Sequence, residues 1–204
     1  MAERQQPRMI RQLQRDERAD LVALLRDLGT DDWMKSTPCP DWTVADVAAH
    51  LVSWEQLLAG PTIGARAINS ARLARLALRS RLNIDRLNEH LRQCSPADSR
   101  RILEAFGHPD VDRWKWRFDR LSPGAQLAEY VIHHEDIRRA VGRPRTIPPD
   151  RLQVALAGVR RLPGVRARAR PRRPDLSGSA LLLYLAGREE PPARTNGDQQ
   201  ALPR

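Results

Sequence analysis

EYVIHHEDIRRA, Glu129 to Ala140, combines a helical pattern with two adjacent histidines and flanking carboxylates. Glu129 and His133 are four residues apart, and Asp136 follows three residues later, so a helix would place all three on one side. A carboxylate and an imidazole as ligands, with a second carboxylate holding an imidazole N–H, is a common construction in metal sites. The stretch therefore predicts a helix that carries part of a metal site.

His50 is the natural third ligand. It lies within ADVAAHLVSWE, beside an apolar helical stripe and about one turn from Val47 and Trp54, where a half-buried imidazole needs polar partners. Two histidines and one carboxylate would leave coordination positions open for water or substrate. Open positions indicate a reactive site more than a structural one.

Periodicity leaves the choice between the two adjacent histidines open. His134 falls in the middle of the apolar face of this helix, whereas His133 lies roughly a third of a turn away. On this pattern alone, His134 is the inward histidine and His133 can be a solvated neighbour. The alternative without a functional role is a solvated helix face with no metal, since a carboxylate and a histidine four residues apart are common by chance.

Local signals predict helices through the first part of the chain. Thr43 is a natural N-cap, and Asp46 three residues later makes a close variant of the capping box at the start of the helix containing His50. Leucines at helical spacing precede Gly29, which is placed to end an earlier helix. The fold class predicted is mainly α, with four main helices forming an antiparallel four-helix bundle.

The same patterns predict three segments. Residues 1–142 form the metal-binding bundle, residues 143–190 a short α+β segment, and residues 191–204 a flexible tail. The elements expected in the middle segment are a helix at 149–161, a strand at 165–170 and a helix at 179–185.

The charge and the cysteine content limit the classes of function. The formal net charge is +10, but Lys35 and Lys115 are the only lysines, which is typical of a GC-rich genome as much as of a binding surface. A DNA-binding or regulatory protein is the alternative, because WTVADVAAHLVSWEQ imitates the first helix of a helix-turn-helix. No glycine turn follows Leu51, however, so the sequence disfavours nucleic acid as a partner. No run is long enough for a membrane span, and two cysteines suit a reducing cytoplasm.

Two stretches together carry a family resemblance. TPCPDWTVADVAAHLVSWE followed by EYVIHHEDIRRA resembles the DinB-like metal-binding bundles, in particular the actinobacterial branch related to mycothiol-dependent maleylpyruvate isomerase. Either motif alone is weak evidence for this family, but the two motifs in this order and at this spacing are fairly specific for it. The resemblance covers residues 16–142.

The resemblance implies a ligand set and a chemistry. The metal ligands would be His50, Glu129 and His133, rather than His134, with Asp136 in support. Zinc is the expected metal, with nickel or iron as alternatives, and mycothiol would be the thiol cosubstrate. The metal would lower the thiol pKa, and the thiolate would add to an electrophilic substrate, as in a thiol-adduct isomerase or transferase. A monomer or homodimer is expected.

The resemblance weakens toward the C-terminus. GSALLLYLAGR, Gly178 to Arg188, resembles the family's C-terminal motif at shorter spacing, and several expected strands are missing before it, so the α+β appendage is abridged. A metal-stabilised bundle without turnover is therefore an alternative. Arg188 is a candidate to anchor an anionic substrate, but a surface arginine is the favoured interpretation. Cys39, just before a helix, is either a nucleophile or extra ligand, or a small packed residue, which is favoured.

Overall fold

The computed structural model describes residues 2–58, 83–93, 98–107, 124–162 and 175–188, with scattered positions between 68 and 79. Within these ranges the chain forms seven α-helices and one 3-10 helix, and no strand. The elements are α1 (Ala2–Arg26), the 3-10 helix (Thr30–Met34), α2 (Val44–Leu58), α3 (Ile84–Gln93), α4 (Ser99–Phe106), α5 (Ala125–Ala140), α6 (Pro149–Val159) and α7 (Gly178–Leu185).

The prediction of a mainly helical fold is confirmed. The helices predicted at 149–161 and 179–185 appear as α6 and α7 within two residues of their expected bounds. The strand predicted at 165–170 and the tail at 191–204 lie outside the described residues, and the antiparallel arrangement and the segment boundaries stay predictions. Among the described helices, none has the length and apolar character needed to cross a membrane.

The capping box predicted at the start of α2 is confirmed. The Thr43 backbone N–H donates to Asp46 Oδ2 at 3.0 Å, and the Asp46 N–H donates to Thr43 Oγ1 at 3.3 Å. Both bonds satisfy backbone donors that the first turn leaves free. The helix then runs unbroken to Leu58, which excludes a helix-turn-helix bend after Leu51.

α5 is the central helix of the described fold. It packs against α1, α2 and α6, and its buried residues belong to both large hydrophobic clusters. One cluster joins α1, α2, α4 and α5, and the other joins α1, α5, α6 and α7. Because α5 is buried on nearly all sides, its polar side chains need partners inside the protein. Those partners define the candidate site.

The approach of α6 to the start of α5 depends on glycine. A Cβ atom on Gly158 would lie 2.2 Å from the carbonyl oxygen of Gly124, so only glycine fits at this contact. Gly124 itself has φ 88°, a left-handed conformation that favours glycine at the N-cap of α5. Two glycines therefore set how closely the C-terminal helices pack on the central one.

Candidate metal centre

Three predicted ligands converge between α2 and α5. His50 Nε2 lies 3.2 Å from Glu129 Oε1, and His133 Nε2 lies 3.3 Å from the same oxygen. One ligand atom from each of the three side chains lies within 4.8 Å of the other two. Glu129 and His133 come from successive turns of α5, and His50 comes from the facing side of α2.

The donor set fits a divalent metal ion. Ligand atoms about 2.0–2.1 Å from a tetrahedral ion lie roughly 3.3 Å apart, which matches the two distances to the Glu129 oxygen. His50 is 1% exposed and His133 is 6% exposed, while the Glu129 side chain remains 29% exposed. The imidazoles thus lie in the interior, and the Glu129 side chain is the most exposed of the three.

The charges of the three groups depend on one another. Burial alone would raise the pKa of Glu129, but hydrogen bonds with His133 and His50 hold it well below its usual range. Burial alone would lower the pKa of His133, yet hydrogen bonds with Asp136 and Glu129 raise it to about 8. Burial lowers the pKa of His50, although its hydrogen bond with Glu129 acts in the opposite direction. A metal ion would therefore meet His50 as the neutral base, and it would have to displace a proton from His133.

Asp136 supports His133, as the sequence predicts. Its Oδ2 lies 3.0 Å from His133 Nδ1, which leaves Nε2 of that ring for a metal. Arg188 in turn binds Asp136 with two hydrogen bonds, Nε to Oδ1 at 2.8 Å and Nη2 to Oδ2 at 2.5 Å. Burial alone would raise the pKa of Asp136, but the bonds with Arg188 and His133 lower it.

The interpretation of Arg188 as a surface residue is wrong. It is only 8% exposed, because the end of α7 packs against α5 and brings the guanidinium to Asp136. Its third hydrogen bond goes to the Ala186 carbonyl oxygen. The sequence could not place it, since residue 188 meets residue 136 only through the packing of α7.

Both adjacent histidines are buried, and they serve different clusters. His134 is fully buried, as periodicity predicts, but its Nδ1 lies 2.7 Å from Glu17 Oε1 on α1 and its Nε2 accepts a hydrogen bond from Arg138. The alternative that His133 is a solvated neighbour is wrong. Periodicity fails here because α5 has no solvent-facing side at this level.

Two aromatic side chains at the centre were not predicted to lie there. The Trp42 ring stacks on His133 with centroids 6.4 Å apart and meets the edge of His50 at 5.0 Å. Trp54 packs against the other side of His50. Cys39 offers its sulphur within 4.8 Å of His133 and Asp136. The available signals were that Trp54 lies one turn after His50 and that Trp42 precedes the cap of α2.

Comparison with known proteins identifies one family. The model of the mycothiol maleylpyruvate isomerase N-terminal domain matches residues 14–138, which is more than half of the chain. The matched range includes His50, Glu129, His133 and Asp136, and it ends before α6 and α7. No curated protein and no solved structure gave a significant match.

Proposed function

The chain belongs to the family of mycothiol maleylpyruvate isomerase N-terminal domains, and on that premise we propose that His50, Glu129 and His133 bind a divalent metal for thiol chemistry. The observation that carries the proposal is the convergence of two buried imidazoles and one partly buried carboxylate at ligand spacing. Zinc is the metal we expect, because imidazole and carboxylate donors at tetrahedral spacing suit it.

The three ligands would leave part of the coordination sphere open. A three-ligand centre keeps a position for water or substrate, and we propose that a low-molecular-weight thiol, mycothiol by the family match, occupies it. The metal, when bound, supplies charge that lowers the pKa of a coordinated thiol. The thiol would then react with an electrophilic substrate in an isomerase or transferase reaction.

The surrounding residues would position the ligands. Asp136 fixes the tautomer and orientation of His133, and Arg188 fixes Asp136. Trp42 contacts both imidazole rings and Trp54 contacts the ring of His50, so the two indoles would restrict the rotation of these rings. We propose that Arg188 acts mainly through Asp136, since both carboxylate oxygens of Asp136 accept hydrogen bonds from it.

Elemental analysis of untagged protein tests the ligand assignment. The wild type should hold about one divalent ion per chain, and His50→Ala and His133→Ala should each lose it. His134→Asn is the matched control, because it changes the neighbouring histidine and can still donate a hydrogen bond toward Glu17. His90→Ala, a change on α3, controls for adventitious binding. No metal in the wild type, even after zinc is supplied, would overturn the proposal.

Calorimetric titration with mycothiol tests the thiol step separately. Metal-loaded protein should bind the thiol, and metal-free protein should bind it at least tenfold more weakly. Equal binding with and without metal would leave a metal-stabilised bundle and would remove the thiol from the centre.

A further inference from the structure

A buried carboxylate on α2, that of Glu55, is bound from two neighbouring helices. Arg18 on α1 donates from Nε to Oε1 at 2.7 Å and from Nη2 to Oε2 at 3.1 Å. The hydroxyl group of Tyr130 on α5 also donates to Oε1. Because the Glu55 side chain is 4% exposed and Tyr130 is 2% exposed, these groups satisfy each other in the interior.

This contact lies close to the metal centre along both helices. Tyr130 directly follows Glu129 on α5, and Glu55 is five residues after His50 on α2, about 7.5 Å along the axis. The two helices therefore meet through polar groups at two points, His50 with Glu129 and Glu55 with Tyr130. The side chains involved diverge by about 140° around α2 and by about 100° around α5. Two directional contacts that diverge in this way resist both sliding and rotation of the helices.

The ring of His50 needs such support more than the ring of His133 does. Asp136 holds Nδ1 of His133, but within the part of the chain that the structure describes the buried Nδ1 of His50 has no hydrogen-bond partner. Histidines that bind metals ordinarily donate this second N–H to an acceptor that fixes the ring. The position of His50 therefore depends on where α2 itself is held.

We propose that Glu55 and Tyr130 are positioning residues for the metal centre, which hold α2 against α5 so that His50 Nε2 meets the two ligands of α5. This inference rests on the proposed function, because it concerns the same three ligands. His50 is the one of those ligands that α2 supplies, so a displacement of this helix removes one donor and leaves the other two in place. Ligand distances at a metal have to be correct within about 0.2 Å, and a small displacement therefore weakens binding.

Arg18 supports Glu55 from the side of α1. Its Nη2 also donates to the Phe106 carbonyl oxygen at the end of α4 at 2.6 Å, and its guanidinium lies over the Phe106 ring, 5.2 Å from the centroid. The charge of Arg18 stabilises the buried carboxylate, whereas the Tyr130 hydroxyl makes the contact with α5. Substitutions can therefore test the charge and the contact separately.

Competition for zinc with a chromogenic chelator, on the full-length protein, tests the contact. Tyr130→Phe removes only the hydroxyl group and leaves Glu55 paired with Arg18, so the variant should fold. Its zinc affinity should fall about tenfold, as is usual when an outer partner of a metal centre is lost. Ile102→Val, which removes one methylene group from a fully buried side chain on α4, is the control. Urea unfolding of the metal-free control should show lower stability, while its zinc affinity stays at the wild-type value.

Variants of Glu55 separate its position from its charge. Glu55→Gln keeps the length of the side chain and an oxygen that accepts from Tyr130, so zinc affinity should stay close to the wild-type value even as the stability falls. Glu55→Asp keeps the charge but is shorter by one methylene group, so zinc affinity should fall about tenfold. The visible absorption bands of bound Co²⁺, which respond to coordination geometry, should change in Glu55→Asp and Tyr130→Phe but not in Glu55→Gln.

The outcomes separate this inference from the proposed function. Wild-type zinc affinity in Tyr130→Phe would overturn the positioning role alone and leave the metal centre in place. Tighter zinc binding by Glu55→Asp than by Glu55→Gln would overturn it as well, since charge rather than position would then matter. An equal loss of affinity in Ile102→Val would show that affinity only follows stability. A wild type that binds neither zinc nor cobalt would overturn the metal centre, and the positioning role with it.

Discussion

His133 and His134 are consecutive residues with opposite electrostatic environments. His133 lies between two carboxylates, which raise its pKa to about 8, whereas burial lowers the pKa of His134 despite its hydrogen bond with Glu17. Arg138 donates to Nε2 of His134, so that ring is neutral and its Nδ1–H donates to Glu17. One imidazole is thus prepared for a metal, and the other is a fixed part of the interior.

Metal binding should release a proton from His133. Below its pKa of about 8 the metal-free imidazole is charged, and it must deprotonate before Nε2 can bind a metal. His50 contributes no proton near neutrality because its pKa is lowered, and Glu129 is already ionised. Affinity for zinc should therefore fall about tenfold per pH unit below pH 8 and level off above it.

Isothermal calorimetry in buffers of different ionisation enthalpy measures that proton. About one should be released per zinc ion at pH 6.5, and close to none from His133 at pH 9.5. His134→Asn should behave as the wild type does. Equal proton release at the two pH values would show that His133 does not carry the raised pKa.

The sequence could predict the kinds of residue in the candidate site but not, from periodicity, which of the adjacent histidines joins it. Spacing correctly places Glu129, His133 and Asp136 on one side of a helix, and Asp136 does bond to the His133 ring. The choice against His134 depends on Glu17, which is 117 residues away and approaches only when α1 packs on α5. Information of that kind is not present in the local pattern.

Glu17 connects three helices through one buried carboxylate. It is fully buried on α1 and accepts hydrogen bonds from Arg145 and Arg151, beside its contact with His134. Burial alone would raise the pKa of Glu17, but hydrogen bonds with His134 and Arg145 lower it from 4.5 to about 2. A lowered pKa means that this stabilisation is complete above pH 4.5 and is lost as the pH falls through about 2.

Glu17→Gln should destabilise the protein by about 3 kcal/mol at pH 7, since each unit of pKa shift corresponds to about 1.4 kcal/mol. The buried guanidinium of Arg145 would lose its main partner. Urea unfolding followed by circular dichroism measures the change, and the difference from wild type should shrink toward pH 2. Asp20→Asn, which removes an exposed partner of Arg151, should cost no more than about 1 kcal/mol. Equal losses of unfolding free energy in Glu17→Gln and Asp20→Asn would contradict the argument that burial makes the Glu17 contacts the more stabilising ones.

Gly158→Ala should loosen the contact between α5 and α6. The added methyl group would meet the Gly124 carbonyl oxygen at 2.2 Å, so the helices must separate, at a cost of about 1–3 kcal/mol. Thermal unfolding of this variant should begin at a lower temperature, while Ala157→Ser, on the exposed side of α6, should unfold as the wild type does. An unchanged midpoint for Gly158→Ala would mean that the helices pack less closely.

Helix boundaries could be predicted where the signal is local. Thr43 and Asp46 cap α2, and Asp98 caps α4 by accepting from the Arg100 N–H, because each cap needs only its own first turn. The contact between Gly124 and Gly158 joins two helices, and no local pattern marks it. The packing of α7 on α6, which brings Arg188 to Asp136, is of the same kind.

At the scale of the whole molecule, much of the described positive charge is already paired. Several arginines bind carboxylates on other elements, so these side chains are already engaged, although each neutral pair leaves the net charge of +10 unchanged. The pairs between elements include Arg18 with Glu55, Arg92 with Asp46, Arg145 with Glu17, Arg151 with Glu17 and Arg188 with Asp136. The unbroken α2 also removes the helical bend on which the DNA-binding alternative depended.

Arg188 joins the C-terminal part of the chain to the metal centre. It lies outside the range that the family model matches, yet its guanidinium binds the carboxylate that holds His133. Leu182 and Leu183 of α7 are buried nearby and keep this end of the chain in place. A segment outside the matched family domain therefore contacts the candidate centre through Asp136.

Arg188→Met should lower zinc affinity by at most about 10–100-fold, the usual effect of losing an outer partner of a metal ligand, because Arg188 acts on His133 only through Asp136. It would also leave the buried negative charge of Asp136 without its guanidinium partner, which destabilises the fold. The double variant Asp136→Asn/Arg188→Met removes both charges, so it should regain stability but not affinity. Competition with a chromogenic chelator measures the affinity, and Arg100→Met, an exposed arginine on α4, is the control. Wild-type affinity in the double variant would mean that the C-terminal segment stabilises the fold without tuning the metal centre.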